Sequence, residues 1–100
     1  MYARVLWGKL KLGMWDEYEA HYKDTVVPAS RRMTGFKGRR LLRSLQNPDE
    51  GLTVSFWDTK ADMVSYVTSA ERESIAQRAD ELYTGEYWVK EFEIRSVDDV

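Results

Sequence analysis

Cysteine is absent from the 100 residues. That excludes a disulfide framework, a thiolate nucleophile and a zinc–sulfur site, and it is compatible with a reducing compartment. A single histidine, His21, leaves only an all-carboxylate metal site, and the acidic residues are too scattered to build one. No GxGxxG, Walker loop, HExxH or GxSxG occurs, so nucleotide-binding, metalloprotease and serine-hydrolase chemistries have no support. Fifteen basic residues against 17 acidic ones give a net charge of −2, too little to draw in nucleic acid or an anionic membrane. No apolar run is long enough to span a bilayer, and Met1-Tyr2-Ala3-Arg4 opens without the apolar segment of a signal peptide. The expected location is cytoplasmic.

What is present is a chain 43% hydrophobic and 13% aromatic, enough for one domain over residues 1–100. At this length burial is marginal, and a partner subunit would help. Residues 2–11 read as a strand with apolar side chains on both alternating sets, Ala3, Val5, Trp7 and Tyr2, Leu6, Leu10. Such a strand is expected to be buried on both faces. Gly13 ends it. From Met14 to about Ser30, the residues Met14, Tyr18, Tyr22, Thr25, Val26 and Ala29 share a helical stripe, and Pro28 is expected to close the helix.

Phe36 to Leu45 reads as a strand in which Phe36, Gly38, Arg40 and Leu42 share one face. Arg39 and Arg43 fall on the other, which divides the basic cluster and argues against a nucleic-acid stripe. Asn47-Pro48-Asp49-Glu50-Gly51 carries turn chemistry, so Leu52 to Trp57 should return as the second arm of a hairpin. Thr59 and Ser69 are placed as caps of two further helices, the second running from Ala70 to Tyr83 until Thr84-Gly85 stops it. A last strand covers Tyr87 to Arg95, and Asp98-Asp99-Val100 is expected to be a frayed end. The order β-α-β-β-α-α-β predicts an α+β, ferredoxin-like βαββαβ fold with a four-stranded antiparallel sheet. Helices of one chain cover one sheet face, so a homodimer with facing sheets is the economical cover for the other.

Several segments resemble a known family. Arg4-Val5-Leu6-Trp7-Gly8-Lys9-Leu10-Lys11-Leu12-Gly13, Gly35-Phe36-Lys37-Gly38-Arg39-Arg40-Leu41-Leu42 and Phe56-Trp57-Asp58-Thr59-Lys60-Ala61-Asp62-Met63 are similar to the antibiotic biosynthesis monooxygenases, which are dimeric α/β barrels. Members include cofactor-independent oxygenases of anthrone-like or quinol-like aromatics, haem-degrading enzymes and proteins of no known reaction. The haem-degrading branch uses an asparagine on the first strand, a tryptophan on the helix after the third strand and, farther on, a histidine that ligates iron. The matching positions hold Leu6, Tyr66 and Ala76. Without that imidazole an axial ligand is missing, and no haem is expected.

The resemblance therefore implies oxygenation without a prosthetic group, on a small aromatic bound between sheet and helices. His21 can deprotonate a phenolic substrate to an electron-rich anion that reacts with dioxygen; the plainer reading, a helix-edge histidine with no chemical role, fits it better. Tyr66 can stack on a planar ligand and donate to an oxyanion, or be a core tyrosine. Trp7, Tyr22 and Trp57 are candidate apolar walls, each also at home in a core. Arg40, on the face of Phe36 and Leu42, is a candidate to orient an acidic substrate or to pair with Glu91 or Glu93. The rival is a non-catalytic dimer that binds a small hydrophobic molecule or serves a stress or regulatory role. It calls for aromatics packed into a closed core with no cavity.

Overall fold

A computed structural model describes residues 1–99. Four strands, β1 (Tyr2–Leu10), β2 (Phe36–Arg43), β3 (Glu50–Trp57) and β4 (Tyr83–Glu93), form one antiparallel sheet in the order β2-β3-β1-β4. With helices α1 (Trp15–His21), α2 (Val27–Arg31), α3 (Lys60–Val67) and α4 (Ala70–Leu82) on one side, the architecture is α+β and ferredoxin-like. No helix is long and apolar enough to cross a membrane.

Pairing follows the period of two. Arg4 lies opposite Ser55 and Glu91, and Leu6 opposite Thr53 and Val89, so these residues share the face toward the helices. Ala3, Val5 and Trp7 share the outer face with Phe56, Val54, Leu52, Phe92, Lys90 and Trp88. Both predicted helix caps form: the Thr59 hydroxyl accepts from Asp62 N–H at 3.1 Å, and Ser69 accepts from Arg72 N–H at 3.1 Å.

Three expectations need correction. Pro28 does not close the first helix. A π-helical turn, Tyr22–Val26, precedes α2, and Val27 N–H reaches back five residues to Tyr22. Pro28 then sits in the first turn of α2, where its missing N–H is least missed. The extra residue turns the buried stripe, so that Tyr18, Tyr22, Val26, Ala29 and Ser30 face inward and Thr25 faces out. The second correction is that Thr84-Gly85 does not stop α4. The helix ends at Leu82 and Tyr83 is already extended, while residues 84–86 form an irregularity in β4 where the pairing steps from Gly8–Tyr87 to Leu10–Tyr83.

The third correction concerns β2, which carries a bulge: Phe36 pairs with Trp57, but Gly38 pairs with Phe56. Gly38 has φ +135°, a conformation that side chains rarely adopt, and it lets the strand take up the extra residue Lys37. Phe36 therefore joins Trp57 on the helix side, whereas Gly38, Arg40 and Leu42 stay on the outer face.

The core lies between sheet and helices in three clusters. Leu10, Trp15, Tyr18 and Leu82 fill one end, while Tyr22, Val26, Ala29 and Ile75 pack under the first helical segment. Trp57, Met63 and Tyr66 fill the far end, with Phe36 and Tyr2 against them.

Candidate functional site

Where the three clusters part, they leave a small chamber. Tyr18 reaches it from the first cluster, Val26 and Ile75 from the second and Tyr66 from the third, while Arg4, Leu6 and Thr53 form the sheet side. Its volume of about 40 Å³ takes roughly two waters or the oxygen-bearing edge of a ring. Leu6, Arg72, Ala79 and Tyr83 also line a second, larger cleft of about 320 Å³ between α4 and β4, which continues to Ala76, Asp80 and Tyr87. That size is within the range of small-molecule sites.

His21 and Tyr66 both line the inner chamber. His21 comes from the C-terminal end of α1, just before the π-helical turn, and its Nε2 is buried without a hydrogen-bond partner among the described residues. Burial lowers its pKa below the usual imidazole value, the nearby Arg78 guanidinium lowers it further, and a hydrogen bond with the Ile75 backbone opposes both. The imidazole is therefore neutral at pH 7 and able to accept a proton. His21 also lines a surface groove with Glu17, Asp24 and Arg78.

Tyr66 is fixed by α3. Its ring stacks on Trp57 at 4.8 Å, and its hydroxyl accepts from Arg39 Nη1 at 3.5 Å. Arg39 also donates to Tyr22 Oη at 3.2 Å and to Ser30 Oγ at 2.7 Å, with its guanidinium 5.2 Å from the Tyr22 ring centre. Tyr22 thus positions Arg39 from behind. Across the chamber, Tyr83 donates to Tyr18 Oη at 2.9 Å, which leaves the Tyr18 proton free for another acceptor. Burial raises both phenol pKa values, so the pair is uncharged. The Tyr83 ring packs against Gly8, where any β-carbon would run into it.

None of the four expected substrate-binding residues lines the chamber: Tyr22 stands behind Arg39, and Trp7, Trp57 and Arg40 lie elsewhere. Trp7 is on the outer sheet face, stacked on Trp88 at 6.3 Å with planes 16° apart, because the alternation of β1 sends Arg4, Leu6 and Gly8 inward instead. Arg40 is exposed on the same outer face, 6.0 Å from the Phe56 ring centre, with Nη1 donating to Arg39 O at 2.9 Å. The bulge is the reason: it carries Phe36 inward without Arg40. Being exposed, Arg40 pairs with neither Glu91 nor Glu93. Trp57 is fully buried and donates to Ser55 Oγ at 2.9 Å, behind Tyr66 and off the chamber lining. The residues that the sequence reading passed over are Arg4, Arg39, Arg72, Tyr18 and Tyr83. Arg4 carried a signal, a charged residue on a strand face otherwise made of Tyr2, Leu6 and Leu10. Among the described residues no group of three or more His, Cys, Asp or Glu side chains is placed to hold a metal.

The sequence profile of the antibiotic biosynthesis monooxygenases matches residues 9–78. No curated protein matches the sequence. Among solved structures, SnoaB from Streptomyces nogalater, a cofactor-independent oxygenase, is 18% identical, with a TM-score of 0.83 over 96% of this chain and 94% of that one. A Bordetella bronchiseptica protein with a provisional antibiotic biosynthesis monooxygenase name is 21% identical, with a TM-score of 0.84 over 93% of this chain and 95% of that one. Rv0793 from Mycobacterium tuberculosis is 14% identical, with a TM-score of 0.77 over 98% and 96%. At these identities the structural likeness speaks for the fold alone.

Proposed function

Because the chain belongs to the antibiotic biosynthesis monooxygenase family, we propose that it is a cofactor-independent oxygenase of a small aromatic held between sheet and helices. The observation that carries this reading is that His21 and Tyr66, from separate helices, line one small chamber that adjoins a larger cleft. The aromatic body occupies the cleft and its oxygen-bearing edge enters the chamber. His21, neutral at pH 7, takes a proton from the bound quinol or anthrone. Tyr66, polarised by Arg39, donates to the oxyanion that forms. The anion then passes an electron to dioxygen, and the two radicals combine to a peroxide. Loss of water leaves a new carbonyl: R₂CH₂ + O₂ → R₂C=O + H₂O. The proton held by His21 returns to the peroxide oxygen, and it is this oxygen that leaves as water.

A closed aromatic core, which the non-catalytic alternative calls for, describes the Trp57 cluster but not the chamber. The unpartnered Nε2 likewise favours a site that a ligand completes. Self-association is part of the proposal. The outer sheet face exposes Leu42, Trp88 and Phe92 with no helix over them, and a second sheet supplies the cover.

The test is oxygen consumption by the purified protein, without added flavin, haem or metal, on a panel of anthrones, quinols and catechols. Saturable uptake with one ¹⁸O atom entering the product is expected, reduced at least 100-fold in His21→Gln, in line with removal of a general base. No uptake from folded protein on any of them, or uptake unchanged in His21→Gln, contradicts the reading.

A further inference from the structure

Three arginines line the inner chamber, Arg4 from β1, Arg39 from β2 and Arg72 from α4, and the charges of Arg39 and Arg72 are felt at Arg4. None has a carboxylate among the described residues within 4.0 Å. Exposed Arg78, by contrast, pairs with both Glu17 and Glu81. Arg39 directs its donors to neutral oxygens, those of Tyr22, Ser30 and Tyr66. Arg4 is only 8% exposed. Its pKa is lowered first by burial and then by the neighbouring charges of Arg72 and Arg39, opposed by Tyr66 and, least, by its exposed cross-strand neighbour Glu91.

Three like charges around one cavity, one of them buried, are costly to keep without an opposite charge. Waters in a chamber of about 40 Å³ solvate such groups but neutralise nothing. A neutral phenol supplies a negative charge only after deprotonation. A ligand that arrives already ionised relieves the cost from the start. The chamber is too small for a ring, and the cleft that shares Leu6, Ala79 and Tyr83 with it is the adjoining space for one. Guanidinium forks match a planar carboxylate best.

We propose that the chamber is an anion site for an aromatic carboxylic acid, with the carboxylate among Arg4, Arg39 and Arg72 and the ring in the cleft beside Ala76 and Tyr87. This rests on the chamber being the ligand site of the preceding reading but not on turnover. It narrows the substrate class to hydroxylated aromatic acids, whose carboxylate sits next to the hydroxyl that His21 and Tyr66 act on. Arg72 serves as the specificity residue at the neck, where cleft and chamber meet.

Calorimetric titration of the full chain with 2-hydroxybenzoate, benzoate, 2-hydroxybenzamide and inorganic phosphate tests it. Both acids should bind at least tenfold more tightly than the amide, and their affinity should fall with added salt. Arg72→Gln, at a half-buried helix position, should weaken the acids at least tenfold and the amide far less, which narrows the acid-to-amide preference. Arg4→Met should abolish acid binding while raising the melting temperature, because it removes a buried charge that no protein group neutralises. Equal affinity for acid and amide, or no binding of the acids, overturns the proposal. So does phosphate binding as tightly as the acids, which assigns the chamber to an inorganic anion. Acid binding without oxygen uptake on the acids upholds this inference and removes the oxygenase reading; uptake on neutral quinols with no preference for acids does the reverse.

Discussion

Trp57 and His21 are both aromatic neighbours of the chamber, yet their surroundings give them opposite roles. Trp57 has no exposed surface and stacks on Tyr66 with Met63 and Phe36 around it, so its truncation leaves a large hole. Trp57→Ala is expected to cost about 3–5 kcal/mol, read from urea denaturation. His21 is expected to affect stability only through its proton. With a folded pKa below the unfolded value of about 6.5, the unfolded chain binds more protons in that window. Stability should therefore hold above neutrality and decline as pH falls below about 6.5, with a smaller decline in His21→Gln; denaturation curves at pH 7.5, 6.5 and 5.5 check this. At this scale the sequence was partly legible. The helical stripe placed Tyr18, Tyr22 and Tyr66 inward and His21 at the stripe's edge. Arg72 lies in a helix too polar to betray its inner face, and Arg39 was hidden by the phase of its strand.

That phase belongs to the element scale, where a one-residue slip exchanges the faces of a strand. Arg40 seemed to share the face of Phe36 because the period of two was carried through Lys37 unbroken. The bulge at Lys37-Gly38 resets it, and the only trace in the sequence was a glycine inside a strand. Gly38→Val must place a β-carbon at φ +135°. It is expected to lose about 1–3 kcal/mol of stability and, by shifting Arg39, to weaken binding of aromatic acids; thermal melts and titrations check the two effects. The π-helical turn was not readable, since Pro28 is an ordinary stop signal and nothing in Tyr22–Val26 announces an extra residue. The caps at Thr59 and Ser69 were readable, because each hydroxyl needs only an amide a few residues on. The end of α4 was misplaced since Gly85, with φ +97°, serves the irregularity in β4 rather than the helix.

For the whole molecule, element order alone fixed the topology: four strands and a hairpin leave few ways to make one antiparallel sheet. The uncovered outer face follows from the same order, with Trp7 and Trp88 stacked across it and Leu42 and Phe92 exposed. A homodimer through that face is expected to appear at twice the chain mass in light scattering, and Trp88→Glu with Phe92→Glu should reduce it to a monomer. The chamber was the least legible part, because it is built from residues far apart in the chain, Arg4, His21, Arg39, Tyr66 and Arg72. The proposal that oxygenation takes place there rests on His21 acting as the base. The most direct test is the pH dependence of oxygen uptake on a responsive quinol or hydroxylated acid. The rate should rise along an acid limb centred below about pH 6.5, set by the lowered imidazole pKa, and that limb should vanish in the residual activity of His21→Gln. A limb centred above 6.5, or one that persists unchanged in His21→Gln, contradicts the account.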